Sequence, residues 1–130
     1  MKQGNSKVNS NFYRKKYSGY LFGIIGEFFA IIVMTFKGYL LLNRRYKNKK
    51  GEIDLIFYKG KTIIFMEVKS RKDFYNHSEI VSLNQIRRMK SAAEAFMLSK
   101  KSLRKYPFRF DLFLVKKNLS YVHIKNTFLD

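Results

Sequence analysis

The stretch of sequence that decides the fold lies between Gly51 and Arg71 and reads GEIDLIFYKGKTIIFMEVKSR. It contains two runs rich in β-branched and aromatic residues, 52–58 and 62–70, separated by Lys59-Gly60-Lys61. A short glycine-containing connection between two such runs is typical of a β-hairpin. The sequence therefore predicts two antiparallel strands at the centre of the fold.

Side-chain alternation places the polar residues of this hairpin together. The two faces that meet are formed by Glu52, Asp54, Ile56 and Tyr58 in the first run and by Ile63, Phe65, Glu67 and Lys69 in the second. One pairing register brings Asp54, Glu67 and Lys69 into one patch. Because a buried carboxylate must be paired, ligated or protonated, this patch indicates chemistry rather than packing.

An Asp followed on the next strand by Glu-x-Lys resembles the core of the PD-(D/E)XK nuclease superfamily. The phrases GEIDLI at 51–56 and MEVKSR at 66–71 are more specifically similar to the small bacterial YraN-like family, predicted endonucleases akin to archaeal Holliday-junction resolvases. The resemblance covers 19–128, and its further matches are Gly26-Glu27, Arg109-Phe110-Asp111 and Asn126-Thr127-Phe128. It implies a restriction-endonuclease-like α/β/α sandwich with a central mixed sheet of about five strands.

The resemblance also implies metal-dependent hydrolysis of DNA phosphodiester bonds, with branched or junction DNA in repair or recombination as one substrate class. Asp54 and Glu67 would hold Mg²⁺ or Mn²⁺, joined by the Val68 carbonyl. Lys69 would position the attacking water and help to deprotonate it. The metal would lower the pKa of that water and neutralise the developing charge.

Two helices contribute the remaining site candidates. Glu27 would complete the metal site from the first helix, with an ion pair to a Lys or Arg as the alternative. Gln85 begins the helix after the Glu-x-Lys strand, where many superfamily members carry a Gln or Lys. The YraN-like family tends to have Lys there, so Gln85 is a departure. Glu52 matches the turn end of the motif and would support Asp54 rather than bind the metal.

The charge balance indicates a polyanionic partner. The 130 residues include 27 Lys and Arg but nine Asp and Glu, giving a net charge of +18. DNA, RNA and anionic membranes all fit this charge, and solubility alone needs a net charge of only about 2 to 8. A non-catalytic nucleic-acid-binding protein on a nuclease-like fold is the alternative function. The acids Asp54 and Glu67 argue against it, because they would repel phosphate.

Clusters of basic residues are the candidates for phosphate contact. A predicted loop at 43–50 leads into the acidic strand, and further cations flank it. The candidates are Arg44, Arg45, Lys47, Lys49, Lys50, Arg71, Arg87 and Arg88. The alternative interpretation of the loop is a solvated edge that contacts no phosphate.

The chain is predicted to divide into a flexible basic arm at 1–18 and a single domain at 19–130. The apolar run 20–36 imitates a membrane anchor or signal peptide, but it is short, contains Glu27 and lacks a cleavage site. We expect a buried helix that ends at Gly38, with Gly23 and Ala30 allowing the Glu27 face to approach the sheet. No stable membrane insertion is expected. The absence of cysteine excludes disulfides and thiolate metal sites, and a cytoplasmic location is expected.

The remaining elements follow in order. A short strand is predicted at 39–42, and a loop at 72–81 carries His77, either a proton carrier or a solvated residue. Ser82 and Gln85 form a capping box for a helix that runs to about residue 101. Two more strands are predicted at 108–115 and 121–125. Resolution of junctions would require a two-fold homodimer.

Overall fold

The computed structural model describes residues 4–72 and 81–127, and for 4–13 and 15–17 it describes the backbone alone. His77 and Phe128 lie outside the described residues. The elements are, in order, α1 (Gly4–Phe36), β1 (Leu40–Asn48), β2 (Gly51–Lys59), β3 (Thr62–Ser70), α2 (Leu83–Ser99), a short 3₁₀ helix (Lys101–Leu103), β4 (Phe108–Val115) and β5 (Tyr121–Ile124).

The predicted hairpin is present, with the predicted shared face. β2 and β3 are antiparallel, and Ile56 pairs with Phe65. Gly60 and Lys61 form the turn with φ values of 57° and 62°. Two successive positive φ angles are typical of a type I′ turn, whose twist matches that of the flanking strands.

The five strands form one mixed sheet in the order β1-β2-β3-β4-β5. β3 and β4 are parallel and the other neighbours are antiparallel. The parallel pair requires a crossover, which α2 supplies. Ala30 and Met34 of α1 pack on one face of the sheet, whereas Met89 and Phe96 of α2 pack on the other. This is the predicted α/β sandwich.

β1 is longer than the sequence predicts. The segment 43–48, expected as a basic loop, continues the strand and pairs with β2 as far as Asn48 and Gly51. A register shift between Leu41 and Asn43 and a φ of 54° at Arg45 interrupt the regular strand. Tyr46 packs edge-on against Phe96, with 5.2 Å between ring centroids. The packing of the partly buried Tyr46 and the hydrogen bonds with β2 keep the segment in the sheet despite its polar composition.

α1 also differs from the expectation, because it begins at Gly4 rather than near residue 20. Most of the segment expected as a flexible arm therefore has helical backbone, and its mobility stays a prediction.

The expected burial of the helix on all sides was wrong. Gly26, Ala30 and Met34 face the sheet, but the opposite face is exposed. Residues Ser18–Phe36 are long and apolar enough to span a membrane, with a mean hydropathy of 1.9, and 17 % of them are buried.

The close approach of α1 to the sheet depends on Gly26. A Cβ at Gly26 would overlap the Ser70 Oγ and touch Val115. The Ser70 hydroxyl also donates to the Phe22 carbonyl at 3.2 Å. The expectation that Gly23 provides this contact was wrong, since nothing lies within 4 Å of a Cβ placed there. Ala30, the other expected contact, is buried.

Candidate active site

Asp54 lies where the regular pairing of β2 and β3 ends. The paired residues run from Lys59 and Thr62 to Leu55 and Met66. One residue further, the Asp54 side chain takes the place of a ladder partner, because its Oδ2 accepts a hydrogen bond from the Val68 N–H at 2.8 Å. This contact fixes the Asp54 carboxylate beside the start of the Glu-x-Lys sequence.

The Asp54 and Glu67 carboxyl groups repel each other in a poorly hydrated setting. Glu67 is only 5 % exposed. Burial, followed by the charge of Glu67, raises the pKa of Asp54 to about 8, although the Val68 N–H acts in the opposite direction. The charge of Glu27 adds a smaller increase. The protein therefore supplies too little positive charge here to keep both carboxylates ionised near neutral pH.

Glu67 is held by two polar side chains. Lys69 Nζ lies 3.1 Å from Glu67 Oε1, and Gln85 Nε2 donates to the same oxygen at 2.6 Å. Lys69 is itself largely buried, with 18 % of its side chain exposed. The structure thus brings Asp54, Glu67 and Lys69 together, as the hairpin register predicts, and adds Gln85 to them.

The start of α2 positions Gln85. The Ser82 hydroxyl accepts a hydrogen bond from the Gln85 N–H at 3.1 Å, so the predicted N-cap is present. The other half of the capping box differs from the prediction, because the Gln85 amide extends to Glu67. The sequence places Gln85 on the edge of the apolar stripe but cannot give this contact, which depends on how α2 docks against β3.

Glu27 extends from α1 toward the same region but is paired with arginine. Its Oε2 accepts a hydrogen bond from Arg45 Nε at 3.0 Å and lies 3.9 Å from Arg44 Nη2. The ion-pair alternative describes these contacts. Glu27 is nevertheless close enough to contribute to the raised pKa of Asp54. Its role as a metal ligand stays a prediction.

The predicted basic residues are at the surface, although some of them are paired. Arg44 and Arg45 contact Glu27, and Lys47 Nζ lies 3.4 Å from Glu52 Oε1. Lys49, Lys50, Arg71, Arg87 and Arg88 are exposed. Glu52 lies with Gln85 and Arg88 around a cavity of about 140 Å³. With 59 % of its side chain exposed, Glu52 belongs to the rim of the site.

A second buried acid, Asp111, was not predicted from the sequence. Asp111 is fully buried and is bound by Arg109 Nε at 3.0 Å, His123 Nε2 at 2.8 Å and the Asn126 N–H at 2.9 Å. Burial alone would raise the pKa of Asp111, but the hydrogen bonds from His123, Arg109 and Asn126 outweigh it, and the pKa is lowered. The Arg-x-Asp spacing was the available signal, since residues two apart on a strand share a face.

The donors at Asp54 and Glu67 fit a hard divalent cation. Within residues 4–72 and 81–127, no three Asp, Glu or His side chains gather closely enough to hold a metal ion. Mg²⁺, however, is often held by one or two carboxylates, with water and substrate phosphate completing its shell. Two carboxylates whose negative charge is partly uncompensated suit that mode of binding.

Comparison with known proteins places the chain among bacterial relatives. Residues 26–115 match the model of a family described as uncharacterised protein family UPF0102. A UPF0102 protein of Mesorhizobium japonicum is 33 % identical over 103 residues, covering 79 % of this chain and 82 % of the relative. One from Caldicellulosiruptor saccharolyticus is 36 % identical over 110 residues, covering 83 % and 88 %. The resemblance to the YraN-like family is confirmed.

Proposed function

This chain belongs to the UPF0102 family, and we propose that it is a Mg²⁺- or Mn²⁺-dependent endonuclease that hydrolyses phosphodiester bonds in DNA. The observation that carries the proposal is the Asp54–Glu67 pair. A half-buried Asp54, with a pKa of about 8, beside a buried Glu67 is unfavourable for folding. A divalent cation bound between them would relieve that repulsion.

The side chains around the pair have distinct roles in this proposal. Gln85 and Lys69 both contact Oε1 of Glu67 and so fix the orientation of its carboxylate. The Lys69 ammonium group is close enough to hold a water molecule or a phosphate oxygen beside the acids. A bound cation would supply the positive charge that stabilises the phosphoryl group during transfer.

The proposed substrate is DNA because the surface near the site is cationic. Lys49 and Lys50 occupy the turn before β2, and Arg87 and Arg88 lie on the first turns of α2. Arg88 lines the small cavity with Gln85 and Glu52, and these exposed cations could contact phosphates along a strand. Such contacts are not specific to deoxyribose, so RNA is retained as a second substrate to test.

We test the proposal with linear duplex, branched and single-stranded DNA, and with single-stranded RNA, in Mn²⁺, Mg²⁺ or chelator. Cleavage should require the metal and disappear in Asp54→Asn protein purified in the same way. Glu94→Gln is the matched control, since it removes an exposed carboxylate of α2. If the parent binds every substrate tightly but cleaves none, the proposal fails and the non-catalytic binding function replaces it.

A cytoplasmic location and a homodimer form the rest of the proposal. Cysteine is absent, and DNA is the expected partner. Resolution of a four-way junction needs two cuts related by two-fold symmetry. Sedimentation of the protein with and without a junction substrate would measure the number of chains bound.

A further inference from the structure

The exposed face of α1 carries a continuous apolar stripe. Its members are spaced three and four residues apart and lie opposite the face that packs on the sheet. They are Leu21, Ile25, Phe28, Ile32 and Phe36, with exposed fractions of 40, 54, 48, 55 and 90 %. At 1.5 Å per residue, the stripe is about 22 Å long.

Basic side chains surround this stripe. Arg14 lies on the same face of α1 toward its N-terminus, and Lys37 follows Phe36 at the other end. The Arg44 guanidinium lies 4.5 Å from the centre of the Phe28 ring. Lys117 and Leu119, from the turn between β4 and β5, line a groove of about 460 Å³ together with Leu21 and Ile25.

Acidic groups are scarce around the stripe. In the described part of the chain, the acid adjacent to it is Glu27, whose side chain is 12 % exposed and is bound by Arg45 and Arg44. An apolar strip bordered by cations is the pattern by which helices bind the surface of an anionic bilayer. We propose that the exposed face of α1 binds the surface of membranes that contain anionic lipids.

The charge of the chain favours a lipid surface over a second copy of the protein. Pairing two stripes would bring the cationic borders of two chains, each with a net charge of +18, close together. An anionic bilayer instead attracts every one of those cations. The charge around the stripe is therefore complementary to an anionic bilayer and not to a second copy of the protein.

The helix lies on the bilayer rather than crossing it. Gly26, Ala30 and Met34 form its buried face, and Ala30 and Met34 belong to the core shared with β2 and β3. Insertion across the bilayer would strip this face from the sheet and expose the core. Binding parallel to the surface needs no change in the fold, because the apolar side chains of the stripe already point outward.

The test is flotation of the full chain with vesicles of phosphatidylcholine alone and of phosphatidylcholine mixed with phosphatidylglycerol. We expect binding to the mixed vesicles that weakens with salt, and little binding to the neutral ones. The double variant Ile25→Ser and Ile32→Ser should weaken binding at least about tenfold, because each isoleucine loses apolar burial. Lys117→Gln should weaken it a few-fold.

The matched control is Leu83→Ser with Leu98→Ser, which removes two leucines of α2 that are 72 and 66 % exposed and lie away from the stripe. It should bind vesicles as the parent does. The stripe variant should retain the circular dichroism spectrum and DNA binding of the parent, which separates this test from that of the nuclease.

Two outcomes would overturn the proposal. One is equal binding of the parent and the stripe variant to the mixed vesicles, or no binding by either. The other is a dimer of the parent that dissociates in the stripe variant without any effect of vesicles, which would assign the stripe to a second copy of the chain.

Discussion

Two groups of partly or fully buried acids in one sheet have pKa values that are shifted in opposite directions. Asp111 on β4 is surrounded by Arg109, His123 and a backbone N–H, and its pKa is lowered. Asp54 on β2 faces another acid, Glu67, and its pKa is raised to about 8. Burial acts in the same direction on both, so the difference comes from the partners.

This contrast distinguishes an acid that stabilises the fold from two acids that, in our proposal, hold a metal ion. The Asp111 cluster ties β4 to β5 and, through the hydrogen bond from Arg109 to the Tyr39 hydroxyl, to the start of β1. Within residues 4–72 and 81–127, the hydrogen bonds of Asp54 and Glu67 join neighbouring parts of one hairpin to the first turn of α2. Removing one acid from each group should therefore have opposite effects on the stability of the fold.

The largest effect is expected on folding stability. Asp111→Asn should lower the free energy of unfolding by about 3 kcal/mol, because it leaves the Arg109 charge without its partner. Asp54→Asn should leave that free energy unchanged or raise it at pH 7, because it removes an acid that is costly to hold beside Glu67 in the fold. Urea denaturation of both variants measures this. Equal destabilisation by the two substitutions would show that the two groups of acids do not differ in kind.

The next effect is on cleavage. Asp54→Asn and Glu67→Gln should each reduce metal-dependent cleavage of DNA at least about a hundredfold, the size of loss seen when a charge-stabilising group is removed. DNA binding should be kept or tightened, because each substitution removes a negative charge beside the phosphate. Cleavage rates and DNA affinity are measured on the same preparations, with Glu94→Gln as the control. Full cleavage activity in both variants would assign the chemistry elsewhere.

Local patterns predict much of the fold. The hairpin, the N-cap at Ser82 and strands β4 and β5 are each specified by alternation, turn residues or capping within a few neighbouring positions. Asp54, Glu67 and Lys69 could be placed together because they lie on adjacent strands joined by a two-residue turn.

The features that sequence could not predict depend on packing between distant elements. The extension of β1 rests on Tyr46 meeting Phe96, some fifty residues away. The run 20–36 is apolar on every side, so its sequence does not indicate which side faces the sheet. This is why Gly23 was expected at the contact that Gly26 makes. The Asp111 cluster likewise required the pairing of β4 with β5.

A third effect distinguishes the two groups of acids through pH. An acid whose pKa is raised on folding stabilises the fold below its unfolded pKa and loses that contribution as pH rises through the folded value. In chelator, stability should therefore fall by about 2 kcal/mol between pH 6 and pH 8 because of Asp54. The lowered pKa of Asp111 acts in the other direction, and its contribution is lost as pH falls below about 4.

The measurement is urea denaturation at several pH values. Asp54→Asn should remove the decline between pH 6 and pH 8, and saturating Mg²⁺ should reduce it in the parent. A decline of the same size in Asp54→Asn protein would mean that another group titrates there.

The smallest expected effect concerns Glu27, which shares features with both groups. It is paired with arginine, as Asp111 is, yet its charge also raises the pKa of Asp54. Because Arg45 is partly exposed, Glu27→Gln should change the free energy of unfolding by at most about 1 kcal/mol. If the carboxylate helps to hold a cation, the substitution should raise the metal concentration needed for half-maximal cleavage.

Arg45→Gln is the matched variant, since it breaks the same ion pair but keeps the carboxylate. Metal titrations that shift for Glu27→Gln but not for Arg45→Gln would place Glu27 with Asp54 and Glu67. Equal shifts, or none, would leave Glu27 as an anchor for β1 and restrict the site to the hairpin and Gln85.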